Sequence, residues 1–253
     1  MKQNIETHLR ELQLPWVRQH YAEAAETAVK EHWPYPDYLA HLIEGETHRR
    51  RENRIKRRIQ AARFPVVKTL DTYNWSWPKK IDRTQIQDLM RLAFLEDHTN
   101  VIFLGGVGVG KTHLATALAH QACLEGHTVL WASTIDMINA LIAAQASLRL
   151  KQELKKYLSP RLLVLDELGY LPIDKQGADL LFQVISGRYE RGSILLTTNK
   201  PFKQWASIFN NDNTLASAVL DRRGGACDFD TVRAHVIRFV QLFSARRKNL
   251  CKP

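Results

Sequence analysis

Between residues 101 and 198 the chain alternates short apolar runs with helix-length segments. "VIFL" (101–104), "TVLWA" (128–132), "LLVL" (162–165) and "SILLTT" (193–198) are mostly continuous stretches of apolar residues. Continuous rather than alternating apolar positions are what strands require when helices cover both faces of a parallel sheet. The pattern therefore predicts an α/β domain with crossover helices over residues 81–253. The first 62 residues carry helical character instead, interrupted by "HWPYPDY" at 32–38, where two prolines break the helix. In "HRRRENRIKRRIQAARF" the residues Ile55, Ile59 and Ala62 recur at helical spacing, and Arg and Lys cover the rest. One face of that helix can pack while the other meets phosphate.

The stretch "FPVVKTLDTYNWSWPKK" cannot continue a helix and reads as a connector. The expected organisation is a small helical N-terminal domain at 1–68, a connector at 69–80 and the α/β domain at 81–253, ending in a basic tail. Tyr73, Trp75 and Trp77 of the connector either stack on nucleic-acid bases or pack against the domain that they precede.

With 253 residues, 45% of them hydrophobic, the chain can bury a sizeable core. Its three cysteines, Cys123, Cys227 and Cys251, form no CxxC and no regular spacing, so the sequence suggests neither a disulfide framework nor a thiolate metal site, and a reducing compartment is expected. The first residues, "MKQNIETHLRELQ", lack the apolar stretch of a signal peptide, and no window approaches a membrane span, so a soluble cytoplasmic protein with no membrane partner is expected. The net charge of +10 changes the picture once it is located. Residues 1–48 hold 4 Lys/Arg against 8 Asp/Glu, residues 49–68 hold 9 against 1, residues 69–221 hold 15 against 15, and residues 222–253 hold 8 against 2. Local positive surface of this kind suits a polyanion bound through its phosphates, or else forms a solvated charged face. The candidates for nucleic-acid contact are Arg49, Arg50, Arg51, Arg54, Lys56, Arg57 and Arg58.

"FLGGVGVGKTHLA" (103–115) contains Gly105, Gly110, Lys111 and Thr112 in the spacing G-x-x-x-x-G-K-[ST], between a strand and the helix "THLATALAHQACLEG", with Gly126 at its C-terminal cap. Gly105, Gly106, Gly108 and Gly110, with Val107 and Val109 between them, let successive backbone N–H groups turn toward a phosphate beside the helix N-terminus, where His113 follows. Lys111 then reaches the β- and γ-phosphates of a nucleotide, and the Thr112 hydroxyl binds Mg²⁺. "RLLVLDELGYL" ends a strand with Asp166 and Glu167, the places for an Mg²⁺-holding carboxylate and a water-activating one. Asn199 in "ILLTTNKP" is a candidate for holding the attacking water or the γ-phosphate. No N-K-x-D follows, which favours ATP over a guanine nucleotide. Metal-ligand clusters, a G-x-S-x-G elbow and a carboxylate set able to cut DNA are all missing from the sequence.

These three motifs resemble those of the AAA+ P-loop ATPases. More closely, "RRENRIKRRIQAARFPVVKTLD", "GVGKTHLA", "LLVLDELGYLPIDKQGADLLFQVISGRYERGSILLTTNKPF" and "LASAVLDR" resemble the IstB-like transposition helper ATPases, relatives of the DnaC helicase loaders. The resemblance covers residues 40–222. It implies an ATP-hydrolysing protein that assembles as a homo-oligomer on double-stranded DNA and stimulates a transposase encoded by the same insertion sequence. It also implies nucleotide held between protomers, with Arg222 of "LASAVLDR" reaching the neighbour's site; Arg188 and Arg191 are interface candidates or helix-terminal charges. The tail, "RGGACDFDTVRAHVIRFVQLFSARRKNLCKP", departs from the family pattern of a turn, a strand and a terminal arginine segment. Two other readings use the same motifs: a DnaC-like helicase loader, and a nucleotide-gated DNA clamp with little hydrolysis.

Overall fold

The computed structural model describes residues 2–76, 81–201, 204–209 and 237–242. The chain divides into two compact units, Met1–Arg57 and Arg58–Pro253.

The first unit holds α1 (Lys2–Glu11), α2 (Pro15–Lys30) and most of α3 (Tyr35–Ala62). Pro15 starts α2 at a position where its missing N–H costs nothing. Left-handed residues at Gln13 (φ 55°) and His32 (φ 57°) turn the chain between the helices. Val17, Ala24 and Leu42 form the core of this unit, with Leu9, Leu14, Trp16, Tyr21 and Tyr38 packed around them. A Cβ at Gly45 would lie 2.3 Å from the Trp16 indole, so glycine is what lets that ring reach α3. The buried Glu46 carboxylate accepts the Trp16 amide at 2.8 Å, satisfying an N-terminal donor of α2 from across the bundle.

In the second unit the last turn of α3 is followed by a 3-10 turn (Leu70–Thr72), α4 (Arg83–Leu89), α5 (Ala93–Glu96) and β1 (Asn100–Gly105). Then come α6 (Lys111–Leu124), β2 (Val129–Ser133), α7 (Thr134–Ala146), α8 (Leu150–Leu158), β3 (Leu162–Leu168), α9 (Lys175–Gly187), β4 (Ser193–Thr198), α10 (Trp205–Ile208) and β5 (Ile237–Leu242). The sequence places the end of the N-terminal domain at residue 68, whereas the compact units part between Arg57 and Arg58. Ala62, Ile59 and Phe64 pack with the core of the second unit.

The sheet is parallel throughout, in the order β2-β3-β4-β1-β5. Neighbouring residues of one strand serve opposite cores, which explains the continuous apolar runs. Val101, Phe103, Leu162, Val164 and Leu195 face the core built with α4, α5 and α6. Ile102, Leu163, Leu165, Ile194 and Leu196 face the one built with α7, α8 and α9. The first four strands lie where the apolar runs predict them. β5 forms within the segment set aside as an atypical tail, and its backbone pairs with β1 from Asn100↔Ile237 to Gly105↔Leu242. Arg238 and Gln241 interrupt its apolar residues, so it gives no continuous run.

Arg188 corrects one expectation. Only 2% exposed, it cannot serve a subunit interface. It follows α9 as its C-terminal cap residue, and its guanidinium donates to the carbonyls of Tyr157 (2.8 Å), Ser193 (2.9 Å) and Arg161 (3.1 Å). Burial pushes its pKa down to about 10, which leaves it charged at neutral pH. Arg191 is exposed. Of the connector aromatics, Tyr73 is buried and Trp75 packs beside it under Arg83, whose guanidinium lies 4.8 Å from the Trp75 ring; Trp77 lies outside the described residues. Among the described residues no helix is long and apolar enough to cross a membrane.

Candidate nucleotide-binding site

The carboxyl edges of β1, β3 and β4 meet beside the N-terminus of α6, where a doubly wound sheet presents its crevice. Gly108 (φ +76°) and Gly110 (φ +86°) both adopt left-handed backbone, which turns the loop from β1 into α6. A Cβ at Gly110 would lie 2.7 Å from the Tyr73 ring, whereas one at Gly108 would meet nothing within 4 Å. Position 110 therefore needs glycine for two reasons, and position 108 faces open space.

The connector builds the underside of this loop. The Tyr73 hydroxyl donates to the Val109 carbonyl at 3.1 Å, and its ring stands edge-on to Trp75 and His113 with centroids 5.0 and 5.2 Å away. The His113 Nε2 donates to the Thr69 carbonyl at 3.0 Å. Burial pushes the Tyr73 phenol above its ordinary pKa, keeping it a hydrogen donor. Val109 turns its side chain into the core, so only its backbone belongs to the loop surface, while Val107 is exposed.

Lys111 reaches back to the Gly106 carbonyl at 2.8 Å. Burial lowers the pKa of its ammonium, and the charges of Asp166 and Glu167 oppose that shift. Asp166, 3% exposed, accepts at Oδ1 from the hydroxyls of Thr112 (3.1 Å) and Thr197, and its main-chain carbonyl accepts from Thr134. Glu167 differs in every respect. Its side chain is exposed, its φ is +63°, and the β3–β4 register shifts between Leu165 and Leu168 around it. A bulge of this kind re-aims a side chain out of the sheet. The Glu167 amide donates to Thr197 Oγ1 at 3.0 Å. One hydroxyl thus ties the buried carboxylate to the backbone of the exposed one. Asn199 lies just past β4, and among the described residues its buried Oδ1 accepts no hydrogen bond.

A cavity of about 340 Å³ joins these parts, lined by Gly108, Lys111, Thr112, His113, Glu167 and Asn199 among others. Residues from three sequence motifs therefore share one cleft, with Asp166 bonded to Thr112 beneath it. Gly105 closes β1, and Gly106 supplies the carbonyl for Lys111. Arg222 lies outside the described residues. Arg49, Arg50, Arg51, Arg54, Lys56 and Arg57 lie on α3 in the first unit; Arg58 falls in the second, where its charge acts on Cys123. Thr197 and Lys68, which also line the cavity, have no role in the sequence reading, and of the two readings of Tyr73 the structure shows packing against the domain that it precedes. For Thr197 the available signal was its place two residues before Asn199 on the same strand end.

The sequence profile of the IstB-like ATP binding protein family matches residues 7–243. The chain is 35% identical over 222 residues to a protein named for ATP binding in insertion sequence IS5376 of Geobacillus stearothermophilus, covering 88% of each chain. It is 38% identical over 218 residues to the one so named in IS21 of Pseudomonas aeruginosa, covering 86% of this chain and 82% of that one. Among solved structures the fold is similar to that of the DnaC helicase loader, with a TM-score of 0.52 and 22% identity over 69% of this chain and 96% of that one. The fold is that of the AAA+ P-loop ATPases.

Proposed function

The chain belongs to the IstB-like ATP-binding proteins, and from that premise we propose that it is an ATPase that assembles on duplex DNA and assists the transposase of its insertion sequence. The observation that carries the hydrolytic part is the division of labour between two adjacent carboxylates. Asp166 is buried and held by two hydroxyls, and Glu167 is turned out of the sheet into the same cleft as Lys111.

The residues fit ATP with Mg²⁺. Open space at Gly108, the lysine ammonium and the unpartnered Asn199 Oδ1 suit a polyphosphate and its water, and the Thr112–Asp166 oxygen pair is the hard donor set that Mg²⁺ takes. When bound, ATP would supply a γ-phosphoryl group open to in-line attack by water, and Mg²⁺ would neutralise charge on its oxygens. Lys111 and the loop amides would neutralise phosphate charge, while Thr112 and Asp166 would hold the cation. Glu167 orients the attacking water and accepts its proton, and Asn199 fixes the water or the γ-oxygens through its amide. Arg222 acts on the neighbouring protomer's site, a contribution worth roughly 10³–10⁵ in rate in comparable systems. The basic row on α3 contacts DNA phosphates, which gives affinity without sequence preference.

The test is ATP turnover with and without duplex DNA. Lys111→Ala should lose nucleotide binding, and Glu167→Gln should bind ATP but not turn it over. Arg222→Ala should be inactive alone and regain activity when mixed with Glu167→Gln, because each supplies what the other lacks. Wild-type chain that binds ATP and DNA yet never hydrolyses would overturn the enzymatic reading in favour of a passive clamp.

A further inference from the structure

We propose that a cleft in the first unit, walled by Arg10, Arg18, Arg49 and Arg50, seats a phosphate of the DNA backbone; the proposal rests on the DNA-binding reading above and gives it an address. The cleft, about 290 Å³, opens where the end of α1, the start of α2 and the middle of α3 meet. Composition alone hides it, because residues 1–48 are acidic on balance. The left-handed turn at Gln13 brings two of the four basic residues of that segment, Arg10 and Arg18, onto the same cleft as the basic stretch of α3.

The charges do not cancel inside the cleft. Glu46 is its only acidic residue, and its carboxylate is already engaged by the Trp16 amide and by Arg50 Nε at 3.0 Å. Arg50 also donates to the Gln13 carbonyl at 2.7 Å, which fixes it as a wall. Arg49 is anchored at 3.1 Å by the neutral Gln19 amide and keeps its full charge. No hydrogen bond or ion pair engages the Arg10 and Arg18 side chains among the described residues. Three guanidinium groups without a counter-charge thus converge on one opening, and a guanidinium fork matches the oxygens of a phosphate.

A polymer suits this cleft better than a free anion because the cleft is one end of a row. Arg49, Asn53, Lys56 and Arg57 follow one another at helical spacing on one face of α3, and the first two line the cleft. At 1.5 Å per residue the row runs about 12 Å, the axial span of three to four phosphates of one strand at roughly 3.4 Å each.

The experiment is fluorescence anisotropy of the full chain with ATP and a labelled duplex of arbitrary sequence, from low to moderate salt. Arg10→Gln/Arg18→Gln is compared with Lys151→Gln/Lys155→Gln, which removes the same charge from exposed positions on α8. The arginine variant should bind about tenfold more weakly, with a log–log salt slope shallower by roughly 0.9, the value for one lost phosphate. The lysine variant should match wild type, and both should melt and bind ATP as wild type does. Unchanged affinity and slope in the arginine variant would overturn the cleft while leaving DNA binding intact; equal losses in both variants would reduce it to a general charge effect. Failure of wild type to bind duplex would sink the DNA-binding reading and the cleft with it. Displacement of duplex by low-millimolar inorganic phosphate at constant ionic strength would make the cleft a small-anion site and overturn the assignment to DNA.

Discussion

Replacing Thr197 by valine keeps the shape of the side chain and removes one hydroxyl, which the structure uses twice. The hydroxyl donates its proton to Asp166 Oδ1 and accepts the Glu167 amide at 3.0 Å, in surroundings where Thr197 is only 1% exposed. A hydrogen bond to a charged group contributes about 1.5–3 kcal/mol, and a buried N–H left alone costs about 1–3 kcal/mol. Thr112 still serves Asp166 at 3.1 Å, which holds the expected loss to the low end of that sum or just below it, about 2–3 kcal/mol. For a unit of this size that is a fall in Tm of roughly 4–12 °C. The catalytic effect should exceed the loss of fold, because the same bond fixes the backbone of Glu167 at a left-handed φ of +63°. Turnover should therefore drop at a temperature where Thr197→Val remains folded, with ATP affinity changed less than kcat. Thr197→Ser restores the hydroxyl and should recover most of both. The assays are thermal melting and steady-state ATP hydrolysis on the three proteins. Equal stability and equal kcat in wild type and Thr197→Val would refute the claim that this hydroxyl positions the carboxylates.

Three further outcomes follow from the packing. Gly110→Ala should lose measurable binding of a fluorescent ATP analogue, because its Cβ would strike the Tyr73 ring at 2.7 Å on a backbone already at φ +86°; Gly108→Ala, with open space around it, should be the milder lesion in a titration of the two. Arg188→Met leaves three carbonyls without their donor and should destabilise the second unit by about 2–4 kcal/mol in urea unfolding, whereas Arg191→Met on the surface should change it little. Burial pushes the Cys123 thiol up to about 11, against the opposing pull of Arg58, so the thiolate is scarce at any pH well below that value. In a Cys227→Ser/Cys251→Ser background the chain should resist alkylation at pH 8 and react fully once unfolded; rapid native labelling would contradict the burial.

What could be read from the sequence depended on whether a residue's role is local. The strands β1 to β4 were legible because each is a buried run between turn signals, and Lys111 and Thr112 because glycines, strand and helix flank them within a few residues. Asp166 and Glu167 were legible as a pair, yet the bulge that separates their roles arises only when β3 pairs with β4. Tyr73 stayed ambiguous because its partner Val109 is 36 residues away, and only folding decides between a base and a backbone carbonyl. Arg188 could be read as an interface residue or a helix-terminal charge; it does end α9, but nothing local announces three carbonyls from separate elements converging on it. Strand β5 was not legible because Arg238 and Gln241 interrupt its apolar residues and leave no continuous run.

The strand order has a consequence for how the protein comes into being. β1 emerges from the ribosome early, but its partners are β4 and β5, and the Ile194 amide that closes on Asn100 comes 94 residues later. At about 5–20 residues per second, this apolar strand waits roughly 5–20 s for its first neighbour. Among the described residues no hairpin shelters it meanwhile, since its pairing is parallel and long-range, the topology that folds slowly and is most exposed to aggregation. Because the phosphate loop leaves directly from β1, nucleotide can trap the assembled sheet but cannot help to begin it, and ATP should raise the yield of refolding without shortening its slowest phase.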